Sequence, residues 1–362
     1  MAEHIYHEQN ADDSILKDKT VAIIGYGNQG RAQALNLRDS GLKVIVGNRD
    51  DDYKERAKKD GFQTFSITDT VTQADILFLL IPDEVIPEIF MKKIKPALKT
   101  GAVVVFASGY TVAFGLVDPP ENVDMVLIAP RMIGAGVREC YLTGEGFFSF
   151  IAVHHDASGK AKEILLALCK ALGSLKKGAI ELTFKQEAVL DLFNEQAFGP
   201  LFGRVLLSSI FTLVDAGYPM EAVLIEMYLS GEMQYLFKKF QKFGLVNQVN
   251  LHSHTSQYGA MTRAIRFMDL PLKKKQKKIL TEIEEGTFAR EWAKPLAKLK
   301  FKVIKFFATR TRINRLEKKA RKNLDMETED LFGEEPLMDE ELKKRLEIKE
   351  ELKEFEELFK EY

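Results

Sequence analysis

Ten residues near the start, Val21-Ala22-Ile23-Ile24-Gly25-Tyr26-Gly27-Asn28-Gln29-Gly30, constrain this chain more than any other stretch. An apolar, strand-like run passes directly into G-x-G-x-x-G and then into a helical stretch, which is the context in which that pattern binds a dinucleotide. Gly25 permits the tight turn, Gly27 lets a pyrophosphate approach the backbone, and Gly30 lets the helix pack on the strand. Tyr26, Asn28 and Gln29 complete the loop. The helix N-terminus then offers unpaired N–H groups and a partial positive charge to the phosphates. Read without its flanks, the triplet is only a structural turn.

The surrounding sequence supplies those flanks. Thr20–Ile24, Lys43–Val46, Ile76–Ile81, Ala102–Ala107, Met125–Ile128 and Phe148–Val153 read as short buried strands. Gly30–Asp39, Asp51–Asp60 and Lys160–Leu172 have helical periodicity. Strands alternating with helices predict a parallel sheet with right-handed crossovers. After Phe184 the pattern changes to apolar residues at three- and four-residue spacing as far as about Asn323. The expected fold is therefore an α/β Rossmann domain over residues 1–182 followed by an all-α helical domain over 183–325. A mainly acidic extension, residues 326–362, carries an apolar stripe of Leu342, Leu346, Ile348, Leu352, Phe355 and Phe359.

Composition excludes other classes. With 46% hydrophobic and 29% charged residues and a net charge of −1, the chain reads as soluble and globular, with no bulk preference for nucleic acid. The Lys273–Lys278 run is read as a solvated patch. Two cysteines, Cys140 and Cys169, fit a reducing cytoplasm rather than a disulfide framework. Met1–Asn10 lacks the apolar core of a signal peptide, and no apolar run approaches the roughly 18 residues of a membrane helix. A cytoplasmic protein with no membrane or nucleic-acid partner is the expectation.

Several loops belong to the cofactor site by position. Arg49, Asp50, Asp51 and Asp52 follow the second strand. A carboxylate there would accept from the ribose hydroxyls of NAD, whereas Arg49 would pair with the 2′-phosphate of NADP. Read structurally, the loop is solvated and Asp50 caps the next helix. NAD and NADP both stay open. Asp83-Glu84, Ser108-Gly109-Tyr110, Ala129-Pro130-Arg131 and Gly134 lie after later strands, where parallel sheets bind ligands.

In the helical half, Glu187, Asp191 and Glu195 stand at i, i+4 and i+8 and share a helix face. Facing a core they would repel one another unless a cation shared them, and Mg²⁺ takes such oxygen ligands. The plainer reading is a solvent-facing acidic stripe. Glu226 and Glu232 are six residues apart. In a regular helix that turns them roughly 240° from each other. They would meet at one site only if the helix were distorted near Ser230-Gly231.

Together these residues resemble ketol-acid reductoisomerase, the acetohydroxy acid isomeroreductase family. The resemblance spans roughly residues 12–325. It rests on the glycine loop with Ala34–Gly41, Pro82-Asp83-Glu84, Ala129-Pro130, Ile151–His154, Asp191–Gln196, Ser253–Gly259 and Phe288–Trp292. It implies a knotted helical domain, a keto-acid substrate of the 2-acetolactate type, NADPH, and two Mg²⁺ ions, with a role in valine and isoleucine biosynthesis. It further implies that Asp191 bridges the metals, that Glu195, Glu226 and Glu232 complete the set, that Glu232 also moves a proton, and that Ser253 holds the substrate carboxylate. A homo-oligomer, dimer or higher, is expected.

This sequence departs from the family pattern at four places. Ser108 stands where the family has His, and Arg131 where it has Lys; both are assigned to the catalytic set with Glu232 and Ser253. The Glu226–Glu232 spacing is wider by two residues. His254 and Gln257 replace Asp and Glu; His254 is read as a surface or satisfied core histidine, with a titratable role at the site as the alternative. A reductase of another 2-keto acid and a non-catalytic nucleotide-binding paralogue stand as the alternatives.

Overall fold

The computed structural model describes residues 4–308 and 310–326. It divides into two compact units, the first ending at Leu192 and the second starting at Phe193. The acidic extension and its apolar stripe lie, apart from Met326, outside the described residues.

The first unit is a nine-stranded sheet flanked by helices. Its strands are β1 (Ile5–Tyr6), β2 (Thr20–Ile24), β3 (Lys43–Gly47), β4 (Gln63–Phe65), β5 (Ile76–Leu79), β6 (Val103–Phe106), β7 (Asp124–Pro130), β8 (Phe148–His155) and β9 (Gly178–Glu181). Its helices are α1 (Asn28–Asp39), α2 (Asp52–Lys59), α3 (Ile67–Gln73), α4 (Ile86–Ile89), α5 (Tyr110–Ala113), α6 (Gly134–Leu142), α7 (Ala161–Leu172) and α8 (Phe184–Phe193). The spatial order is β1-β9-β8-β7-β6-β5-β2-β3-β4. The chain leaves β2 toward β3 and β4, then returns to build outward from β5. The strand order therefore reverses between β2 and β5, and the glycine loop follows β2 directly. Ligands of open α/β sheets bind at such a reversal.

Alternate residues of β2 explain why the run is uniformly apolar. Val21 and Ile23 join the core on one side of the sheet, and Ala22 and Ile24 join the core on the other. Strands covered on both faces cannot afford a polar side. Both cysteines are free thiols.

Two expectations need correction here. The sheet is not wholly parallel: β8 runs antiparallel to β7, and β1 antiparallel to β9. The connection from β7 to β8 contains α6, but α6 packs chiefly against α1. It is not a crossover helix lying on the sheet, so the right-handed parallel rule does not govern it. The second correction concerns apolar length. The continuous helix Phe184–Asp215 spans 32 residues and contains an 18-residue window of mean hydropathy 1.6, of which 11% is buried within this chain. By length and composition it is sufficient to cross a membrane. Pro200 and Arg204 break the run by eye, yet two residues barely dilute an average over 18.

The second unit is helical: α9 (Gly199–Asp215), α10 (Met220–Leu224), α11 (Glu232–Phe243), α12 (His254–Ala264), α13 (Leu272–Glu284), α14 (Thr287–Trp292), α15 (Pro295–Ala308) and α16 (Arg312–Asn323). One small core joins Ile210, Val223, Leu224 and Ala320. Around it, Arg312 pairs with Asp215, Asn323 donates to Glu221, and Tyr228 donates to Glu317.

Candidate active site

The cofactor loop is shaped by its glycines. Gly25 has φ +95°, a left-handed value costly for other residues, and a Cβ there would lie 2.6 Å from the Leu80 carbonyl oxygen. A Cβ on Gly30 would fall well inside contact distance of the Gly25 carbonyl, so only glycine lets α1 start so close to the turn. Gly27 is different. A Cβ there would meet no protein atom and would instead fill the open cradle above the loop. Space kept clear at the N-terminus of α1 fits a pyrophosphate.

The flanking residues divide into those that face this cradle and those that support it. Tyr26 is a correction: its side chain is buried against Phe62, and its hydroxyl donates to Asp60 at 2.8 Å. Only its backbone is left to the loop, where its N–H donates to Asn48. Gln29 donates to the Met132 carbonyl at 2.9 Å, tying the glycine loop to the segment after β7. Gly134 supports the same join, because a Cβ on it would collide with the backbone of Asn28. Asp83 and Glu84 lie near Tyr110 and, after burial, help push its hydroxyl up to about 12.

After β3, the helix cap is Asp51 rather than Asp50: its carboxylate accepts from the Tyr53 and Lys54 amides and from Asn48. Position decides this, since Asp51 immediately precedes the first helical residue. Arg49 reaches back to Asp51 at 2.6 Å. Asp50 pairs with Lys54, and Asp52 is exposed in the first turn of α2.

Beyond the ends of β6 and β7 lies an ionic cluster. Arg131 spans two carboxylates, donating to Glu187 Oε1 and to Asp191 Oδ1, both at 2.8 Å. Its Nε donates to the Ala129 carbonyl at 3.3 Å, and its guanidinium lies over the Phe150 ring. A planar fork serves two acceptors at once where an ammonium would serve them less rigidly. Glu187 is fully buried, and its second oxygen accepts from the Gly109 amide at 2.6 Å. Ser108 Oγ accepts from the Tyr110 amide, so the hydroxyl that replaces the family's imidazole caps a turn.

Glu187 was recognisable in the sequence only as a member of an acidic stripe. The structure shows that the stripe is not uniformly solvent-facing: Glu187 is enclosed and Asp191 is about one-third exposed. The missing signal was Gly109, whose lack of a Cβ lets the helix carrying Glu187 approach. Burial, with help from the Asp191 charge, pushes the Glu187 carboxyl from 4.5 up to about 7, against the pull of Arg131 and the Gly109 amide. Folding therefore favours its protonated form. That contribution is complete below pH 4.5 and is lost as pH rises through about 7. Thermal scans from pH 5 to pH 8 should show wild-type melting fall by several degrees more than that of Glu187→Gln. Parallel curves would contradict the assigned shift.

In the second unit, Glu195, Glu226, Glu232 and Ser253 are all exposed. The helix is broken between the two glutamates, which is the condition the sequence set for their facing one site. Ile225–Leu229 forms a π-helical turn, Gly231 has φ +80°, and α11 begins afresh at Glu232. Ser253 is the N-cap of α12 and accepts from the Ser256 amide. His254, next to it, is exposed. Among the described residues, no three His, Cys, Asp or Glu side chains gather closely enough to hold a metal. The donors themselves, carboxylate oxygens, suit a hard divalent cation.

Residues 15–178 match the NADPH-binding domain of acetohydroxy acid isomeroreductase, and residues 184–328 match the C-terminal domain of ketol-acid reductoisomerase. This chain belongs to the ketol-acid reductoisomerase family. A ketol-acid reductoisomerase (NADP(+)) from Petrotoga mobilis is 41% identical over 291 residues, covering 79% of this chain and 87% of that protein. Another from Methanopyrus kandleri is 41% identical, covering 80% and 87%. An NADH-preferring ketol-acid reductoisomerase from an uncultured archaeon superposes with a TM-score of 0.83 at 34% identity, covering 88% of this chain and 98% of that one. A Rossmann-like domain followed by a helical domain is thus the architecture this family member shares.

Proposed function

We propose that this chain is an NAD(P)H- and magnesium-dependent reductoisomerase acting on a 2-hydroxy-2-methyl-3-keto acid such as 2-acetolactate, in valine and isoleucine biosynthesis. The observation that carries this reading is the link between the glycine cradle and the ionic cluster, made by Gln29 and Met132 beyond the carboxyl ends of β2 and β7. Such a link would let cofactor and reacting carbonyl lie near each other.

The α1 N-terminus would hold the pyrophosphate, with the nicotinamide directed toward Ser108 and Arg131. Asp191 in the first unit and, separately, Glu195, Glu226 and Glu232 in the second offer carboxylate oxygens of the kind a divalent ion takes, and such an ion would supply Lewis-acid polarisation of the substrate's adjacent oxygens. Arg131 presents a fixed positive charge at the cluster. Ser253 and the first amides of α12 would receive the substrate carboxylate. Glu232 would take up or return a proton at its carboxylate, whereas Ser108 only orients backbone. A second copy of the chain would cover the apolar surface that Phe198, Phe202, Val205 and Phe237 expose. Light scattering after gel filtration should accordingly report a dimer or larger.

Absorbance at 340 nm tests the reaction. Acetolactate should drive oxidation of NADPH or NADH, and EDTA should abolish it. No oxidation by a protein that binds the cofactor would remove the reading. Arg131 on Asp191 and the replaced imidazole favour one second reading, a plain reductase of 2-keto acids, which would turn over simple 2-keto acids without Mg²⁺. Cofactor choice is set after β3. Arg49→Ala should raise KM for NADPH on the order of tenfold, one charge-assisted contact to a phosphate, and leave that for NADH within about twofold. Equal effects on both would show that Arg49 does not meet the 2′-phosphate.

A further inference from the structure

We infer that Arg131 is a built-in counter-cation for Asp191, one that holds this carboxylate when no divalent ion is present and opposes the ion's arrival. The inference rests on the proposal that a divalent ion belongs at Asp191, and adds what this chain's own substitution does to it.

Three contacts anchor the guanidinium independently of Asp191. It lies 4.9 Å from the centre of the Phe150 ring, donates through Nε to the Ala129 carbonyl, and pairs with buried Glu187. All three belong to the first unit, and the Glu187 carboxylate is itself fixed by the Gly109 amide. The guanidinium is therefore held in place whether or not Asp191 accepts from it. It engages Oδ1 of Asp191 and not Oδ2. An incoming ion would meet one carboxylate oxygen already bound to a positive group, with that charge a few ångströms away.

The residue type sharpens the conflict. A lysine can swing its flexible stem away or lose a proton, whereas arginine stays charged throughout the accessible pH range. Its fork also lets one side chain bind both acids at once. Two carboxylates sharing one guanidinium retain at most a single negative charge. That is a weak attraction for a dication compared with two free carboxylates. Arg131 accordingly sets the affinity for the ion, and both Asp191 oxygens become available to one only if Arg131 lets go of the carboxylate.

Binding of Mn²⁺ to the full chain, followed by electron paramagnetic resonance without substrate or nucleotide, tests this directly. Arg131→Gln should bind Mn²⁺ on the order of tenfold more tightly than wild type. Arg131→Lys should fall between, and it serves as the principal comparison should the glutamine variant melt at room temperature. Adding Asp191→Asn should erase the gain, which locates it. Equal or weaker binding by both Arg131 variants would overturn the inference. A gain that survives Asp191→Asn, or no Mn²⁺ binding by any variant, would overturn it too. The assay at 340 nm separates the two levels. Inactive protein showing the Mn²⁺ pattern would sink only the proposed reaction, and active protein lacking the pattern would sink only the role of Arg131.

Discussion

Asp191→Asn should lower acetolactate-dependent turnover on the order of a thousandfold or more while leaving the protein folded. The activity loss follows from removing the anionic oxygen proposed to hold the dication, whose charge stabilisation amounts to several kcal/mol. Retention of the fold follows from the local geometry. An asparagine Oδ1 can still accept from Arg131, and Arg131 keeps Glu187, Ala129 and Phe150 as partners. Asp191 is also partly exposed, so no uncompensated charge is buried by the change. Steady-state kinetics, melting and nucleotide titration together give the answer. Turnover should collapse, melting should move by a few degrees at most, and NAD(P)H affinity should stay within about twofold. An active Asp191→Asn enzyme would remove the main metal ligand from the mechanism.

The second large effect separates two glycines of one motif. Gly30→Ala places a methyl inside contact distance of the Gly25 carbonyl, with no flexible side chain available to move aside. Overpacking of this kind costs about 1–3 kcal/mol or more. For a unit of this size each kcal/mol shifts Tm by roughly 2–4 °C. A fall of about 5–10 °C is expected. Gly27→Ala meets no protein atom, and the backbone there has φ −74°, so it carries no strain. Its melting should match wild type to within about 0.5 kcal/mol, as at an unconstrained surface position. Its affinity for NADPH or NADH should nevertheless fall tenfold or more, about 1.4 kcal/mol, since the methyl occupies the pyrophosphate's place. Melting curves and fluorescence titration of both variants distinguish the roles. Wild-type affinity in Gly27→Ala would place the pyrophosphate elsewhere, and wild-type melting in Gly30→Ala would contradict the tight join of α1 to the turn.

How far the sequence could be read differs from residue to residue. The glycine loop was legible because a turn, a strand and a helix are all specified within about ten neighbouring residues. Between Glu226 and Glu232 the sequence marked Ser230-Gly231 as the place where a helix could break, and the helix does restart there. Tyr26 misled because membership in a motif says nothing about which way a side chain turns. Its ring had to find Phe62 and Asp60, more than 30 residues away. Asp51 displaced Asp50 as the cap by one residue, within the ordinary uncertainty of a helix start.

By itself, then, the sequence determined six of the nine strands, missing the short β1, β4 and β9, together with the dinucleotide loop and the residues available as acids. Those features depend on backbone sterics and apolar periodicity over short spans. Only the tertiary structure decided the antiparallel return of β8, the burial of Tyr26, and which carboxylates the guanidinium would claim. Arg131 finds Glu187 and Asp191 across 56 and 60 residues. No local pattern encodes that choice. It arises when α8 reaches Gly109, where a missing Cβ lets backbone and carboxylate meet, and where burial makes an unshared charge too costly to leave alone.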